Sequence, residues 1–180
     1  MRILSYIKSY TRKGLVHRKH GHVHISGYSD SGYSGDRGDR KSTTGYRTFA
    51  GGNLMTWRSK KQDVVSRSSV EAEYRVMAHT ACEMVWLKNL LIELGFRQPG
   101  PMPIYCDNQS VIYIAQNSVF MKHIEVDCHF VRDTSTKKVI MFQFTPSAKQ
   151  LAYLLTKVVS PQMYSNLCNK QSMLDVYAPA

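Results

Sequence analysis

The stretch Ser68-Ser69-Val70-Glu71-Ala72-Glu73-Tyr74 opens the longest regular pattern in this 180-residue chain. Apolar residues recur from there at the 3.6-residue period of an α-helix, as far as Leu94, and Gly95 is a typical stop signal. Ser68 or Ser69 is the expected N-cap, because a serine hydroxyl accepts a hydrogen bond from the free amides of a first helical turn. The pattern predicts one long helix between these serines and Leu94.

The two glutamates of this stretch have different environments in a helix. Glu71 precedes Arg75 by four residues, a spacing that favours an ion pair on the helix surface. Glu73 instead falls on the apolar stripe, in line with Met77 and Met84. A carboxylate on such a stripe must be neutralised, paired or bound to a metal. Alternatively, Glu73 lies at the edge of the stripe near the helix N-terminus, where the helix dipole favours an anion.

The flanking sequence predicts the strands of one sheet and several further helices. Residues 22–30 alternate as in a half-buried strand, and a loop rich in Gly, Ser and Asp follows. Gly51-Gly52 separates two strand-like runs with the spacing of a tight hairpin. The later pattern predicts strands at 104–107 and 138–145 and helices at 109–116, 122–133, 147–158 (N-cap Ser147) and 161–172, besides an N-terminal helix at 2–11. This order indicates an α/β domain of the mixed α+β type, built on one sheet.

Asp30 and Asp107 lie at predicted strand ends. Asp30 precedes a flexible loop, and Asp107 closes a short strand directly before a helix. Open sheets bind ligands at the carboxyl ends of their strands. Taken singly, Asp30 could form a turn and Asp107 could be a helix N-cap. Together with Glu73 they predict a magnesium site, because clustered carboxylates repel one another unless cations neutralise them.

The charge of the chain is strongly basic and unevenly distributed. Lys and Arg outnumber Asp and Glu by 24 to 13, which gives a net charge of +11. Residues 1–61 contain 13 Lys/Arg and 3 Asp, a net +10, so residues 62–180 contribute only +1. A basic half of this kind favours nucleic acid as a partner, through contacts with phosphates. The length and the hydrophobic content of 43% fit one globular domain.

The cysteines and the N-terminus indicate a soluble intracellular protein. Four cysteines are scattered without a Cys-x-x-Cys pair, which argues against a zinc ribbon and against a disulfide scaffold. The first residues contain no long hydrophobic run, so neither a signal peptide nor a transmembrane segment is predicted. We therefore expect a cytoplasmic or nuclear location and no membrane partner.

Eight blocks of sequence occur in a defined order. They are Tyr28-Ser29-Asp30, Gly35-Asp36, Asp39-Arg40-Lys41-Ser42-Thr43-Thr44-Gly45-Tyr46, Trp57-Arg58-Ser59-Lys60-Lys61-Gln62, Ser68-Ser69-Val70-Glu71-Ala72-Glu73-Tyr74, Tyr105-Cys106-Asp107-Asn108-Gln109-Ser110, Lys122-His123-Ile124-Glu125-Val126-Asp127 and Leu154-Leu155-Thr156-Lys157. In this order they resemble the ribonuclease H domain at the C-terminal end of copia-type (Ty/copia) LTR retrotransposon Pol polyproteins. The resemblance runs from about residue 2 to residue 165.

The resemblance implies a ribonuclease H-like fold, with a mixed five-stranded sheet and flanking helices. It also implies a C-terminal fragment with three parts. Residues 1–20 would be a remnant of the reverse transcriptase connection segment, 21–160 the ribonuclease H-like domain, and 161–180 a C-terminal helix and tail. The expected state is a monomer, with the reverse transcriptase part of the polyprotein as a further partner.

The same resemblance implies hydrolysis of the RNA strand of an RNA–DNA hybrid with two Mg²⁺ or Mn²⁺ ions. Asp30 would contact both ions, while Glu73 and Asp107 would complete one side and orient the attacking water. The residues that would contact nucleic acid are Ser69, Asn108, Gln109, Lys122 and His123. The first three would line the minor groove, where RNA displays its 2′-hydroxyls.

One position departs from the family pattern in a way that bears on activity. The family's fourth carboxylate is the Asp of Leu-Ala-Asp-x-Leu-Thr-Lys, whereas this chain has Tyr153 in Leu151-Ala152-Tyr153-Leu154-Leu155-Thr156-Lys157. A tyrosine is neutral at pH 7 and cannot hold a cation as a carboxylate does. The segment 117–123 is also about three residues shorter than in the family. We interpret the chain as an impaired, degenerate nuclease; the alternatives are an inactive module that binds RNA–DNA hybrid and a non-functional transposon remnant.

Overall fold

The computed structural model describes Leu4 and residues 13–35, 38–117, 122–171 and 173–175. Its first strands are, in chain order, β1 (Lys13–Leu15), β2 (Ile25–Gly32), β3 (Thr43–Ala50), β4 (Asn53–Lys61), β5 (Met102–Cys106) and β6 (Ile140–Phe144). Strands β2 to β6 form one mixed sheet in the order β4-β3-β2-β5-β6. This confirms the predicted fold class and the five-stranded sheet. Apart from Leu4, the helix predicted at 2–11 lies outside the described residues.

The first three strands of the sheet form an antiparallel meander. Gly51 and Gly52 connect β3 to β4 with φ values of +56° and +75°. Positive φ at both central residues is typical of the type I′ turn, whose twist matches that of a two-stranded hairpin. The hairpin predicted around these glycines is therefore confirmed.

The chain then crosses the sheet through a long helix, α1 (Ser69–Glu93). Ser68 is its N-cap and accepts a hydrogen bond from the amide of Glu71 at 3.1 Å. The helix packs on β2, β3 and β5 through buried side chains such as Met77 and Met84. Burial of each such side chain stabilises the fold by about 2 kcal/mol. Both the helix and its cap agree with the prediction.

The crossover makes β5 parallel to β2, and β6 is parallel to β5. The carboxyl ends of β2 and β5 are therefore neighbours. From β2 the chain continues to β3 on one side of β2, and it returns through α1 to β5 on the other side. Such a switch point opens a crevice in which open sheets bind ligands. The helices α2 (Gln109–Gln116) and α3 (Glu125–Thr136) complete the layer that contains α1.

The helix predicted at 147–158 is wrong. Two 3₁₀ turns, Ser147–Lys149 and Leu151–Leu155, occupy this part of the chain. Gln150 separates them with an extended backbone, at φ −73° and ψ 104°. Its side chain accepts a hydrogen bond from the amide of Ala152 at 3.1 Å and so begins the second turn. Ser147 was the expected N-cap, but its hydroxyl bonds to Asp107 instead.

The other face of the sheet carries a smaller apolar cluster. Phe49 and Leu54 of the hairpin pack there with Leu151 and with Leu167 of α4 (Pro161–Asn169). A last short strand, β7 (Met173–Asp175), pairs with β1 in a separate two-stranded sheet. None of the helices in the described part of the chain combines the length and the apolar composition that a membrane span needs.

Candidate metal centre

Asp30 is the buried centre of the candidate site. It lies near the carboxyl end of β2, opposite Gly45 of β3, and is fully buried. Thr156 donates its hydroxyl to Asp30 Oδ2, and Lys157 Nζ donates to Asp30 Oδ1 at 3.0 Å. Burial raises the pKa of Asp30 above its ordinary value, although the contacts with Thr156 and Lys157 oppose the shift. Both oxygens of Asp30 thus have donors within the protein.

Glu73 reaches the same end of the sheet from α1. It is only 7% exposed, as its place on the apolar stripe predicts. Its Oε2 atom is buried without a hydrogen-bond partner among the described residues. Burial raises the pKa of Glu73 to about 9, with further contributions from the negative charges of Asp30 and Asp107. Without a cation, Glu73 is therefore protonated at neutral pH.

Glu71 has a different role in the same helix. It forms the predicted ion pair with Arg75 at 3.0 Å, and it also accepts a hydrogen bond from the amide of Arg67 at 3.0 Å. Burial would raise the pKa of Glu71, but these donors and the charge of Arg75 lower it. Glu71 is buried, not on the helix surface as predicted, because it closes the first helical turn against the amide of Arg67.

Asp107 follows the last residue of β5 and is partly exposed. Its Oδ2 atom accepts a hydrogen bond from the Ser147 hydroxyl at 2.7 Å. The N-cap alternative for Asp107 is wrong, because Asn108 caps α2 and accepts hydrogen bonds from the amides of Ser110 and Val111. The carboxylate of Asp107 therefore remains available to the candidate site.

The structure brings the three predicted carboxylates together. One ligand oxygen from each of Asp30, Glu73 and Asp107 lies within 4.8 Å of the other two. Carboxylate oxygens are the ligands that Mg²⁺ and Mn²⁺ prefer. The partnerless Oε2 of Glu73 is a buried acceptor that a cation would satisfy. The residues present therefore fit a divalent cation.

Two glycines let the segment from Leu151 to Lys157, here the 151–157 segment, lie directly on the sheet. A Cβ atom at Gly45 would lie 2.4 Å from Thr156 Cγ2, and one at Gly32 would lie 2.7 Å from the Thr156 carbonyl oxygen. A close-packed interior does not accommodate atoms at such separations. The absence of side chains at both positions brings Thr156 and Lys157 against Asp30.

Gln150 holds the two aspartate-bearing strands where they separate. The residue is fully buried. Its Nε2 donates to the carbonyl oxygen of Ser29 on β2 at 3.0 Å and to that of Tyr105 on β5 at 3.2 Å. The direct pairing of the two strands ends at Tyr105. Gln150 therefore fixes the spacing of the strand ends that carry Asp30 and Asp107.

Tyr153 packs against Lys157. Lys157 Nζ lies 4.4 Å from the centroid of the Tyr153 ring, within the range of a cation–π contact. The carbonyl of Tyr153 also accepts hydrogen bonds from the amides of Thr156 and Lys157, at 3.3 and 3.1 Å. At this position the chain therefore presents an aromatic face to a cation, where a carboxylate would present oxygen ligands.

The residues predicted to contact nucleic acid lie at the starts of helical segments. Ser69 and Gln109 are the first residues of α1 and α2, Asn108 caps α2, and Lys122 and His123 begin the 3₁₀ turn before α3. All of them except Asn108 are exposed. The ring of His123 contacts the Arg67 guanidinium, and Arg75 donates to the His123 carbonyl at 3.2 Å. Their contact with nucleic acid stays a prediction.

Four polar residues of the site were not predicted as such, namely Ser147, Gln150, Thr156 and Lys157. All four come from the region that the sequence pattern assigned to one α-helix. Thr156 and Lys157 fall within the family block Leu154-Leu155-Thr156-Lys157, which was the only signal that singled them out. Their partner, Asp30, lies 126 residues from Thr156 in sequence, so no local pattern links the two.

Comparison with known proteins relates the chain to a group of polyproteins. It is 40% identical over 172 residues to the retrovirus-related Pol polyprotein from transposon RE1 of Arabidopsis thaliana, which covers 94% of this chain. The corresponding polyprotein from transposon TNT 1-94 of Nicotiana tabacum is 39% identical over 150 residues, or 81% of this chain. Its homologues are the Pol polyproteins of copia-type retrotransposons. The chain spans 12% and 11% of the length of these two relatives, and no protein-family model matches it.

Solved ribonuclease H structures share the fold of this Pol-related chain. LC11-RNase H1, isolated from compost, has a TM-score of 0.56 at 16% identity and covers 74% of this chain and 92% of its own. The N-terminal RNase H domain of rv2228c from Mycobacterium tuberculosis has a TM-score of 0.51 at 14% identity and covers 82% and 97%. LC11-RNase H1 has also been solved in complex with an RNA/DNA hybrid. The fold is ribonuclease H-like, which confirms the fold that the sequence blocks implied.

Proposed function

We propose that this chain is a ribonuclease H that hydrolyses the RNA strand of RNA–DNA hybrids with a divalent cation held by Asp30, Glu73 and Asp107. The observation that carries this proposal is that one carboxylate oxygen from each of these residues lies within 4.8 Å of the other two, at the switch point of a ribonuclease H-like sheet. The hybrid bound to LC11-RNase H1 supports the choice of substrate. Residues 21–160 form the proposed ribonuclease H-like domain.

The three carboxylates hold and orient the cation in this proposal. A bound Mg²⁺ or Mn²⁺ ion would supply Lewis-acid chemistry to the phosphodiester and to the attacking water. Ser147 orients Asp107 through its hydroxyl, and Thr156 does the same for Asp30. Without a cation, Glu73 holds a proton, because its pKa of about 9 lies above neutral pH, so cation binding would be coupled to release of this proton.

The hybrid lies, in this proposal, across the starts of α1, α2 and the turn before α3. Ser69, Asn108 and Gln109 contact the minor groove, where 2′-hydroxyls distinguish RNA from DNA. Lys122 and His123 contact phosphates, and the exposed guanidinium of Arg67 beside His123 adds positive charge. The net +10 of residues 1–61 attracts the same polyanion.

Tyr153 favours a second candidate function, an inactive module that binds hybrid. The ring of Tyr153 contacts Lys157 where the family pattern has a carboxylate. The centre therefore has three acidic ligands, and we propose that hydrolysis is slow. The fold and the basic residues for hybrid binding are independent of this substitution.

Cleavage of a hybrid with fluorescent RNA tests both candidates. We expect slow cleavage with Mg²⁺ or Mn²⁺ that Asp30→Asn abolishes, and an increase of at least about tenfold in Tyr153→Asp. Activity that survives in Asp30→Asn would identify a contaminating nuclease. Absent cleavage with salt-sensitive hybrid binding would support the binding module, and the absence of both activities would leave the non-functional remnant.

A further inference from the structure

Lys157 brings a fixed positive charge to the candidate metal centre. Its Nζ is 3.0 Å from Oδ1 of Asp30, whose side chain is fully buried, while the Lys157 side chain is 34% exposed. An ion pair with one buried partner is screened by water far less than a surface pair. The ammonium group is therefore a permanent component of the electrostatics around Asp30.

The position of this ammonium group is set by two further contacts. The ring face of Tyr153 lies beneath Lys157 Nζ, at 4.4 Å from the centroid. The amide of Lys157 bonds to the Tyr153 carbonyl at 3.1 Å, which fixes the backbone between the two residues. Lys157 Nζ is thus held between a carboxylate and an aromatic face. An aromatic face attracts an ammonium group, but it offers no lone pair to a hard divalent cation.

The charges of the cluster match one divalent cation. Asp30, Glu73 and Asp107, when ionised, carry three negative charges, of which Lys157 offsets one. A single divalent cation neutralises the remaining two. Lys157 pairs with Asp30, whereas Glu73 Oε2 has no hydrogen-bond partner among the described residues and the carboxylate of Asp107 is partly exposed. These two carboxylates are therefore the ones that need the charge of the divalent cation.

We propose that Lys157 is a built-in cation of this centre, which limits it to one divalent ion bound among Asp30, Glu73 and Asp107. The proposal rests on the metal-binding part of the proposed function. Lys157 acts as a positioning and charge-balancing residue, and Tyr153 holds its ammonium group in place.

Counting bound Mn²⁺ tests this proposal without reference to activity. Isothermal titration calorimetry of the full chain, with electron paramagnetic resonance to count bound ions, should give one Mn²⁺ for the wild type. Lys157→Met should bind a second Mn²⁺, or bind the first at least about tenfold more tightly, because a positive charge that opposes the ion is removed. Lys157→Arg retains the charge and should behave as the wild type.

The control is Lys149→Met, which removes an exposed lysine from the preceding 3₁₀ turn and should leave the Mn²⁺ count and affinity unchanged. Circular dichroism of each variant establishes that it is folded, and Lys157→Gln serves as a second neutral variant if Lys157→Met is not. Two bound Mn²⁺ ions in the wild type would overturn the role of Lys157 but not the metal centre. An equal Mn²⁺ count and affinity in the wild type and the neutral variants would do the same. No Mn²⁺ binding by any folded variant would overturn the metal centre as well.

Discussion

Glu73 and Lys157 approach Asp30 from two different regions of the molecule. The two regions differ in whether the protein itself supplies a positive charge or a donor to the carboxylate. On the α1 and β5 side, Glu73 Oε2 is buried without a donor among the described residues, and its pKa is raised to about 9. On the side of the 151–157 segment, Thr156 and Lys157 donate to both oxygens of Asp30. The first region requires a cation from solution, whereas the second supplies its own.

The largest expected effect is a pH dependence that comes mainly from Glu73. The pKa of Glu73 is about 9 in the folded state, against 4.5 ordinarily, so the unfolded chain loses this proton at lower pH. Metal-free protein should therefore lose stability as pH rises from about 4.5 to about 9, by on the order of 5 kcal/mol. Asp30, whose pKa is also raised, contributes in the same direction. Urea unfolding in a chelator measures this change.

The same series in Glu73→Gln should show a much smaller loss of stability, to which Asp30 contributes, because the neutral amide mimics the protonated acid. Glu71→Gln is a control, because the contribution of Glu71 to stability changes with pH in the opposite direction. The pKa of Glu71 is lowered, so its contribution is present above the ordinary pKa and is lost as pH falls. That variant should therefore lose stability at neutral pH. A wild type whose stability does not change between pH 5 and pH 9 would show that Glu73 is ionised in the metal-free fold.

Replacing Gln150 should damage both sides of Asp30 together. Gln150→Leu leaves the buried carbonyls of Ser29 and Tyr105 without their shared donor. We expect the free energy of unfolding to fall by about 3 kcal/mol and Mn²⁺ binding to weaken. Gln116→Leu, at an exposed position near the end of α2, should change stability by less than about 0.5 kcal/mol. Equal effects of the two substitutions would contradict the role of Gln150.

A methyl group at Gly45 should act on the 151–157 segment alone. The added Cβ would lie 2.4 Å from Thr156 Cγ2 and force the segment away from β3. We expect a loss of about 1–3 kcal/mol and faster hydrogen exchange at the amide of Thr156. Gly35→Ala is the matched control, since nothing lies within 4 Å of a Cβ there. Unchanged exchange in Gly45→Ala would show that the segment does not depend on this close approach.

The smallest expected effect concerns the hydroxyl that orients Asp107. Ser147→Ala removes the 2.7 Å hydrogen bond to a partly exposed carboxylate. Stability should fall by about 1 kcal/mol or less, because water can replace the donor. Calorimetry should show a modest loss of Mn²⁺ affinity that Ser165→Ala, on the exposed face of α4, does not share. A loss as large as that of Gln150→Leu would mean that Ser147 supports the backbone as well as Asp107.

Local patterns predicted the parts of the fold that depend on neighbouring residues. The 3.6-residue period gave α1 and placed Glu73, not Glu71, on the stripe that packs against the sheet. The pair Gly51-Gly52 gave the hairpin, because only residues that accept positive φ form that turn easily. The same period wrongly predicted a helix at 147–158. A period in the sequence contains no information about the hydrogen bonds that the buried side chain of Gln150 donates to two strands.

The sequence by itself determined the order of the elements from β2 to β6, the three carboxylates of the candidate site and the relationship to copia-type Pol polyproteins. These follow from period, turn residues and ordered blocks, which are properties of short stretches. Only the tertiary structure decided that Lys157 and Thr156 contact Asp30 and that Gln150 joins Ser29 to Tyr105. Those contacts join residues separated by 127, 126, 121 and 45 positions. The contacts of Thr156 and Lys157 form because Gly32 and Gly45 let the 151–157 segment pack directly on the sheet, a fit that depends on the folded surface.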